Sequence, residues 1–164
     1  MRIEEATLDD WPQIEKIYRE GIRTGMATFE TEERIPDGEG WFAGKIPGLI
    51  YKMVTDSGEM VGWAALSTVS SRCVYAGVAE VSVYVTAGAR GQGVGLVLLQ
   101  HLIAAAEKSG LWTLEAGIFS NNVASLRLHE KAGFRVVGLR EKLGRIAGRW
   151  QDVVLMERRS PIVL

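Results

Sequence analysis

The chain has 164 residues, of which 47% are hydrophobic and 24% charged, and its formal net charge is -1 at pH 7. This length and balance predict one globular domain, residues 1–164. A charge so close to zero argues against nucleic acid or a membrane surface as a partner. The single cysteine excludes an intramolecular disulfide, and there is neither an apolar signal core at the N-terminus nor a membrane-length apolar run. We therefore expect a cytoplasmic protein.

The N-terminal part of the chain predicts a strand, two helices and a hairpin. Asp9 or Asp10 can cap the first helix, and Pro12 suits its first turn. The hairpin turns where Asp-Ser-Gly separates two apolar runs. The predicted elements are a strand over 2–7, helices over 8–22 and, more weakly, 37–46, an irregular segment over 24–36, and a hairpin over 49–68.

The C-terminal part alternates strands with helices and then ends on two strands. The strand-helix-strand unit over 78–118 predicts one right-handed crossover, whereas the hairpin requires antiparallel pairing. We therefore expect an α+β fold, with a mixed, mostly antiparallel sheet of about seven strands flanked by about four helices. The predicted elements are strands over 78–86, 111–119, 134–141 and 150–158, and helices over 93–110 and 121–133.

A glycine-rich segment separates the strand over 78–86 from the helix that follows it. Gly91, Gly93 and Gly95 come directly after Arg90. The first turn of a helix offers free backbone N–H groups and a positive dipole end to an anion. Glycine lets that backbone approach phosphate oxygens closely, and arginine adds a positive charge. A plain strand-to-helix turn would need only one glycine, so the segment favours a pyrophosphate site.

Two well-known phosphate loops fit this segment poorly. A P-loop requires Gly-Lys-Ser/Thr, which is absent. A dinucleotide fold is a closer rival, because Glu115 lies about twenty residues beyond Gly95, where a ribose-binding acid is expected. However, that fold places its glycine motif early and follows it with several β-α units. Only one short helix and two strands follow Glu115, so the topology argues against a nicotinamide-dinucleotide domain.

The pattern Arg-x-x-Gly-x-Gly, after a strand and at the start of a helix, resembles the coenzyme A signature of the GNAT superfamily of N-acetyltransferases. The predicted order of strands and helices fits that fold over nearly the whole chain. The resemblance implies that acetyl-CoA is the cosubstrate and that the loop's backbone N–H groups hold the coenzyme A pyrophosphate. The residues implied in this role are Arg90, Gly91, Gln92, Gly93, Val94, Gly95 and Leu96.

The segment over 120–134 resembles the other half of a coenzyme A site. Asn122 resembles the asparagine that hydrogen-bonds the pantetheine arm, and Ser125 can assist it; Asn122 also suits a helix N-cap, and both roles can hold at once. Many GNAT enzymes carry a tyrosine four residues before the following glycine, as the acid for the departing thiolate. Here that residue is His129, which can protonate the thiolate, contact the substrate, or simply pack on the helix.

Four segments together resemble one branch of that superfamily, the phosphinothricin and methionine-sulfoximine acetyltransferases. They are "TFET", "AEVSVYV", "LHEKAGF" and "GRWQDVVLME". The resemblance implies acetylation of the α-amino group of a small amino acid or analogue. It also implies a homodimer, for which the strand edges after residue 135 can supply the interface.

Glu80 is the candidate general base. Alternation along the strand places it on one face with Ser82 and Tyr84, inside an otherwise apolar run. A glutamate there is unfavourable unless it is paired or functional, so the alternative is a salt-bridged glutamate. The resemblance assigns Glu80 the removal of a proton from the substrate ammonium. It also implies that this strand opens and presents backbone N–H groups to the oxyanion near Val83, Tyr84 and Val85.

The acceptor-binding residues are expected in two irregular segments. Thr28, Phe29 and Glu30 lie in the first, and Arg72 lies just before the Glu80 strand, where it can hold a carboxylate or remain solvated. No metal site is expected, since the two histidines lie far from each other and from Cys73. The rival functions are acetylation of a polyamine, an aminoglycoside or a protein N-terminus, and a non-catalytic coenzyme A binding module.

Overall fold

The computed structural model describes residues 1–164 as one mixed sheet with helices on both faces. Seven strands follow the order β1-β2-β3-β4-β5-β7-β6, and only the β4–β5 pair is parallel. The predicted fold class is therefore confirmed. The strands are β1 (Arg2–Glu5), β2 (Ile50–Val54), β3 (Met60–Thr68), β4 (Val78–Val85), β5 (Thr113–Phe119), β6 (Arg135–Ile146) and β7 (Arg149–Arg159); the helices are α1 (Trp11–Arg23), α2 (Gly38–Ala43), α3 (Val94–Lys108) and α4 (Val123–Lys131).

The start of the first helix differs from the prediction. Residues 8–10 form a 3₁₀ turn, and α1 begins at Trp11. Asp10 does not cap α1 with its side chain; one carboxylate oxygen accepts from the Thr7 backbone N–H at 2.8 Å, and the other accepts from Lys52 at 2.7 Å. Because Asp10 is buried, these partners compensate its lost hydration.

The last two strands are longer than predicted. They form a hairpin that closes at Ala147 and Gly148, both of which have positive φ angles. The charged and glycine-rich residues of β6 hide the alternation from the sequence, but pairing with β7 holds the strand extended, with bulges between Val136 and Gly138 and between Arg140 and Gly144.

Two hydrophobic cores lie on opposite faces of the sheet. The larger core packs α3 and α4 against β3, β4, β5 and β7, and its largest fully buried side chains include Leu98, Leu99 and Leu102. The smaller core packs α1 and α2 against β2 and β3 around Trp41 and Trp63. No helix is both long and apolar enough to span a lipid bilayer.

The parallel pair β4–β5 separates partway along its length. Its ladder runs from Val78–Thr113 to Glu80–Glu115 and stops there, although both strands continue. On its other edge, β4 stays paired with β3 as far as Val85. The sheet therefore contains a wedge-shaped gap between β4 and β5, and the last rung of the ladder lies at its narrow end.

Candidate active site

A cleft of about 320 Å³ passes through the gap between β4 and β5. Its lining includes alternate residues of β4 from both faces of the sheet, so the cleft connects the α1 side with the α4 side. It is lined by Ala27, Thr28, Phe29, Glu80, Val81, Ser82, Val83, Tyr84, Glu115, Ala116, Gly117, Ile118, Phe119, Asn122, Ser125, His129, Arg140, Leu143, Val153 and Leu155.

The glycine loop leaves a run of backbone donors free at the start of α3. The first helical hydrogen bond that reaches back to the loop is donated by Val97 to the carbonyl of Gly93, and the N–H groups of residues 91–96 have no backbone or side-chain acceptor in the chain. The helix dipole adds a positive potential at the same place. This arrangement can hold an anion such as a pyrophosphate group.

Two glycines in this loop meet different requirements. Gly93 is the N-cap residue of α3 and has a φ of 83°, in the left-handed region that side-chain-bearing residues disfavour. Gly95 has ordinary helical geometry, but a Cβ there would lie 3.3 Å from the Leu128 side chain of α4. The loop therefore needs one glycine for its conformation and another for close helix packing.

The polar side chains of the loop bond back to the protein. Arg90 donates through Nε to the Val85 carbonyl at 3.2 Å, and Gln92 donates to the Gly88 carbonyl at 3.2 Å. The first contact joins the loop to the open end of β4, because the Val85 carbonyl lies beyond the last β4–β5 rung. The Arg90 guanidinium is exposed, so its other nitrogens remain available to an anion.

The backbone of β4 presents donors to the gap. The Thr86 N–H donates to the Val61 carbonyl of β3 at 2.9 Å. Since backbone N–H groups alternate between the two edges of a strand, those of Val83 and Val85 point the other way, toward β5. The strands have already separated at this level, so the Val83 N–H faces the cleft. The Tyr84 N–H points toward β3, and the Tyr84 side chain lies on the α1 face of the sheet.

Glu80 lies at the narrow end of the gap and is exposed. No lysine or arginine forms an ion pair with it, which contradicts the salt-bridged alternative. Lys45 is nearby but donates to Ser67 at 3.2 Å and lies 5.0 Å from the Trp41 ring centroid. The sequence pattern suggested a glutamate enclosed by apolar residues; the gap instead gives its carboxylate access to solvent.

Glu115 faces Glu80 across the last rung and also lines the cleft. Its pKa is raised, first by burial and then by the negative charges of Glu80 and Glu157, while the Arg140 guanidinium acts in the opposite direction. From the sequence, Glu115 is a candidate only for a ribose-binding acid, and no pattern there singles out Arg140. Neither lies near another candidate site residue in the sequence, and only the strand register brings them to the cleft.

His129 is buried on α4, with its ring oriented by the backbone. Nδ1 lies 2.8 Å from the Ser125 carbonyl oxygen, so Nδ1 carries the hydrogen and donates it. Burial lowers the pKa of His129, against the smaller opposing effect of that hydrogen bond. The resting ring is therefore neutral, and Nε2 is an acceptor without a proton to donate.

Asn122 links the two sides of the cleft. Its side-chain oxygen accepts from the Ser125 N–H at 3.2 Å, which makes it the N-cap of α4. Its amide nitrogen donates to the Met26 carbonyl at 3.1 Å, in the irregular segment after α1. The capping role is therefore confirmed, and the same side chain also holds the segment that carries Thr28 and Phe29.

Aromatic residues form the α1 side of the cleft. The Phe29 ring packs edge-on against Phe119, with centroids 4.8 Å apart, and Tyr84 stacks on Trp63 at 4.7 Å. Burial raises the pKa of Tyr84, so its hydroxyl stays protonated. These residues provide an apolar wall with hydroxyl groups.

The other two predicted acceptor residues do not line the cleft. Glu30 pairs with Arg34 at 3.4 Å. Arg72 is exposed, with its guanidinium 5.6 Å from the centroid of the Tyr75 ring. The structure also has no group of three or more His, Cys, Asp or Glu side chains arranged to hold a metal ion.

Residues 3–155 match the acetyltransferase (GNAT) domain family. The chain belongs to this family and is an N-acetyltransferase.

Its relatives place it near the predicted branch. It is 40% identical over 155 residues to phosphinothricin N-acetyltransferase of Alcaligenes faecalis, covering 92% of this chain and 78% of that protein. It is 34% identical over 158 residues to L-methionine sulfoximine/L-methionine sulfone acetyltransferase of Pseudomonas paraeruginosa, covering 94% and 92%. The crystal structure of a phosphinothricin acetyltransferase from Sinorhizobium meliloti in complex with acetyl-CoA superimposes with a TM-score of 0.87 at 30% identity, covering 96% of this chain and 87% of that one. The resemblance found in the sequence is confirmed.

Proposed function

We propose that this enzyme transfers the acetyl group of acetyl-CoA to the α-amino group of a small amino acid or analogue, of the type of methionine sulfone, methionine sulfoximine or phosphinothricin. One observation carries the proposal. A single cleft crosses the sheet between β4 and β5 and contains the acids Glu80 and Glu115, and β4 leads from this cleft to the loop in which the N–H groups of residues 91–96 are free. Such a cleft brings a coenzyme thioester and an amine together from opposite faces.

The glycine loop and α4 hold the coenzyme. The N–H groups of residues 91–96 and the Arg90 guanidinium bind the pyrophosphate. The N–H groups are free for this because they have no acceptor in the chain, and the guanidinium is free because it is exposed. Asn122 and Ser125 lie beside the path from this loop into the gap, where the pantetheine arm passes. The backbone of Val83 to Val85 meets the end of that arm.

Glu80 prepares the amine for attack. An amino acid arrives as an ammonium ion, and Glu80 takes one proton from it, directly or through a water molecule. The amine nitrogen then bonds to the thioester carbonyl carbon, and the Val83 N–H donates to the oxyanion that forms. When the C–S bond breaks, the amide product and the coenzyme thiolate separate, the amine's second proton leaves, and the thiolate takes up a proton. Because Nε2 of His129 is unprotonated at rest, His129 can deliver that proton only after accepting one.

We further propose that the enzyme is a homodimer. Val136, Val137 and Leu139 of the edge strand β6 are 59%, 44% and 52% exposed. An edge strand with three exposed apolar residues is a site for association. Light scattering of the wild type and of Val137→Glu tests this: a dimer should become a monomer, and a monomeric wild type would refute the proposal.

A screen of acceptors read by thiol release tests the function. Free amino acids, methionine sulfone, methionine sulfoximine and phosphinothricin are compared with a polyamine, an aminoglycoside and a peptide with a free N-terminus. We expect turnover with the amino-acid analogues and little with the others. Turnover restricted to the polyamine or aminoglycoside would refute the acceptor class. Acetyl-CoA binding without turnover of any amine would favour a non-catalytic binding module.

A further inference from the structure

The three arginines of β6 have different surroundings. Arg135 forms an ion pair with Glu157 on the neighbouring strand. The Arg145 guanidinium lies 4.3 Å from the centroid of the Trp150 ring. Arg140, between them, has neither kind of partner, and it is the one that lines the cleft. An arginine that is held by no protein group and faces a substrate cleft is available to a ligand.

The charge of Arg140 is isolated within the cleft. No other lysine or arginine lines it, and burial lowers the pKa of His129, which disfavours a charge on that ring. Lys45, the other cation near Glu80, does not line the cleft and is already bonded to Ser67. The guanidinium lies close enough to the acids that its field acts on Glu115. The cleft thus contains carboxylates and one unpaired guanidinium within one small volume.

We propose that Arg140 binds the α-carboxylate of the acceptor and thereby selects α-amino acids over simple amines. This inference rests on the proposed function. In an α-amino acid the ammonium and carboxylate groups are attached to the same carbon, so both must find partners in the same small volume. Glu80 receives the ammonium end, and the planar guanidinium receives the carboxylate through two parallel N–H···O bonds.

Arg72 was the sequence-based candidate for this contact, but its guanidinium lies over Tyr75 and outside the cleft. Arg140 comes from β6, where the register places it opposite Val153, which in turn faces Phe119. Val153 and Phe119 also line the cleft. The paired strands therefore bring Arg140 to the acceptor side without any motif in the sequence around it.

The test compares methionine sulfone with its carboxamide, which keeps the amine and side chain but lacks the carboxylate. Steady-state kinetics are measured for the wild type, Arg140→Met, Arg140→Lys, Arg72→Met and the control Arg145→Met, which removes the same charge from the same strand outside the cleft. We expect Arg140→Met to raise KM for methionine sulfone about 10- to 100-fold while changing KM for the carboxamide little. Arg140→Lys should recover part of the loss, and Arg145→Met should leave both substrates unchanged.

Two kinetic results would overturn the inference. Equal losses for the two substrates in Arg140→Met would show that it does not recognise the carboxylate. A preference for the acid that survives in Arg140→Met but disappears in Arg72→Met would assign the contact to Arg72.

An equilibrium measurement separates this inference from the proposed function. If the wild type acetylates neither compound, the proposed function fails, but thermal shifts in the presence of coenzyme A still compare binding of the acid and the carboxamide. A wild-type preference for the acid that is lost in Arg140→Met supports the inference. Equal shifts for the two compounds in the wild type overturn it.

Discussion

At the start of α3, beyond the open end of β4, the free donors are backbone N–H groups from one continuous segment, residues 91–96. The cleft itself is lined largely by side chains from the segment after α1 and from β4, β5, β6 and β7. These backbone donors depend little on side chains, so nearly any sequence with glycines at the same positions would offer them. The lining of the cleft, in contrast, depends on which side chains the strand register places next to one another. The difference suits a shared cosubstrate on one side and a variable acceptor on the other.

Glu80→Gln should have the largest effect, and it acts on the acceptor side alone. Without a carboxylate to take the ammonium proton, we expect turnover to fall about 10²- to 10⁴-fold. Acetyl-CoA binding, measured by thermal shift, should be unchanged because the free N–H groups of residues 91–96 remain. The control is Glu59→Gln, in the exposed turn between β2 and β3. Unchanged turnover in Glu80→Gln would eliminate it as the base.

Gly93→Ala tests the role of the glycine loop in coenzyme binding. Forcing alanine into the left-handed region should lower the free energy of unfolding by about 1–2 kcal/mol and move the loop, so KM for acetyl-CoA should rise several-fold. Gly58→Ala is a matched control, since Gly58 has a φ of 86° against 83° for Gly93, and neither has an atom within 4 Å of an added Cβ. Both variants should lose similar stability in urea titrations. A similar rise in KM for both would mean that the loop has no specific part in binding.

Asn122 contacts both α4 and the segment after α1, so its variants show whether it acts on the coenzyme or on the acceptor. Asn122→Asp keeps the oxygen that caps α4 but cannot donate to the Met26 carbonyl. We expect a stability loss of about 0.5–1.5 kcal/mol from the missing hydrogen bond and a several-fold higher KM for the acceptor. Asn122→Ala should cost more stability, because the cap is lost as well. If KM for acetyl-CoA rises instead and the acceptor KM does not, Asn122 acts mainly through the coenzyme.

Replacing His129 with asparagine should have the smallest effect, which we expect to see in how the stability of the fold depends on pH. Its pKa is lowered from 6.5 in the folded chain, so below that pH the unfolded chain binds the proton more readily. The stability linked to neutral His129 is complete above pH 6.5 and is lost as the pH falls toward the folded-state pKa. Melting temperatures between about pH 7.5 and 5 should therefore fall more in the wild type than in His129→Asn, which cannot titrate. Parallel curves would contradict this assignment.

Local patterns in the sequence predicted most of the secondary structure and the start of α3 at the glycine loop. Helix α3 was predicted over 93–110 and found at Val94–Lys108, and the hairpin turn was predicted correctly. The free N–H groups of residues 91–96 could be predicted because a helix start and its glycines are adjacent in the chain. The two final strands were predicted too short, since their long pairing is a property of the hairpin and not of either strand's composition.

The amino-acid sequence by itself determined the order of strands and helices, the glycine loop and the position of Glu80 on its strand. Only the tertiary structure decided that β4 and β5 part after Glu80, that Glu115 faces it, that Arg140 reaches the cleft, and that Arg72 does not line it. The physical reason is the range of the interactions. Glycine conformation and helix capping act between residues adjacent in the chain. Cross-strand neighbours depend on a register that the packing of the whole sheet sets.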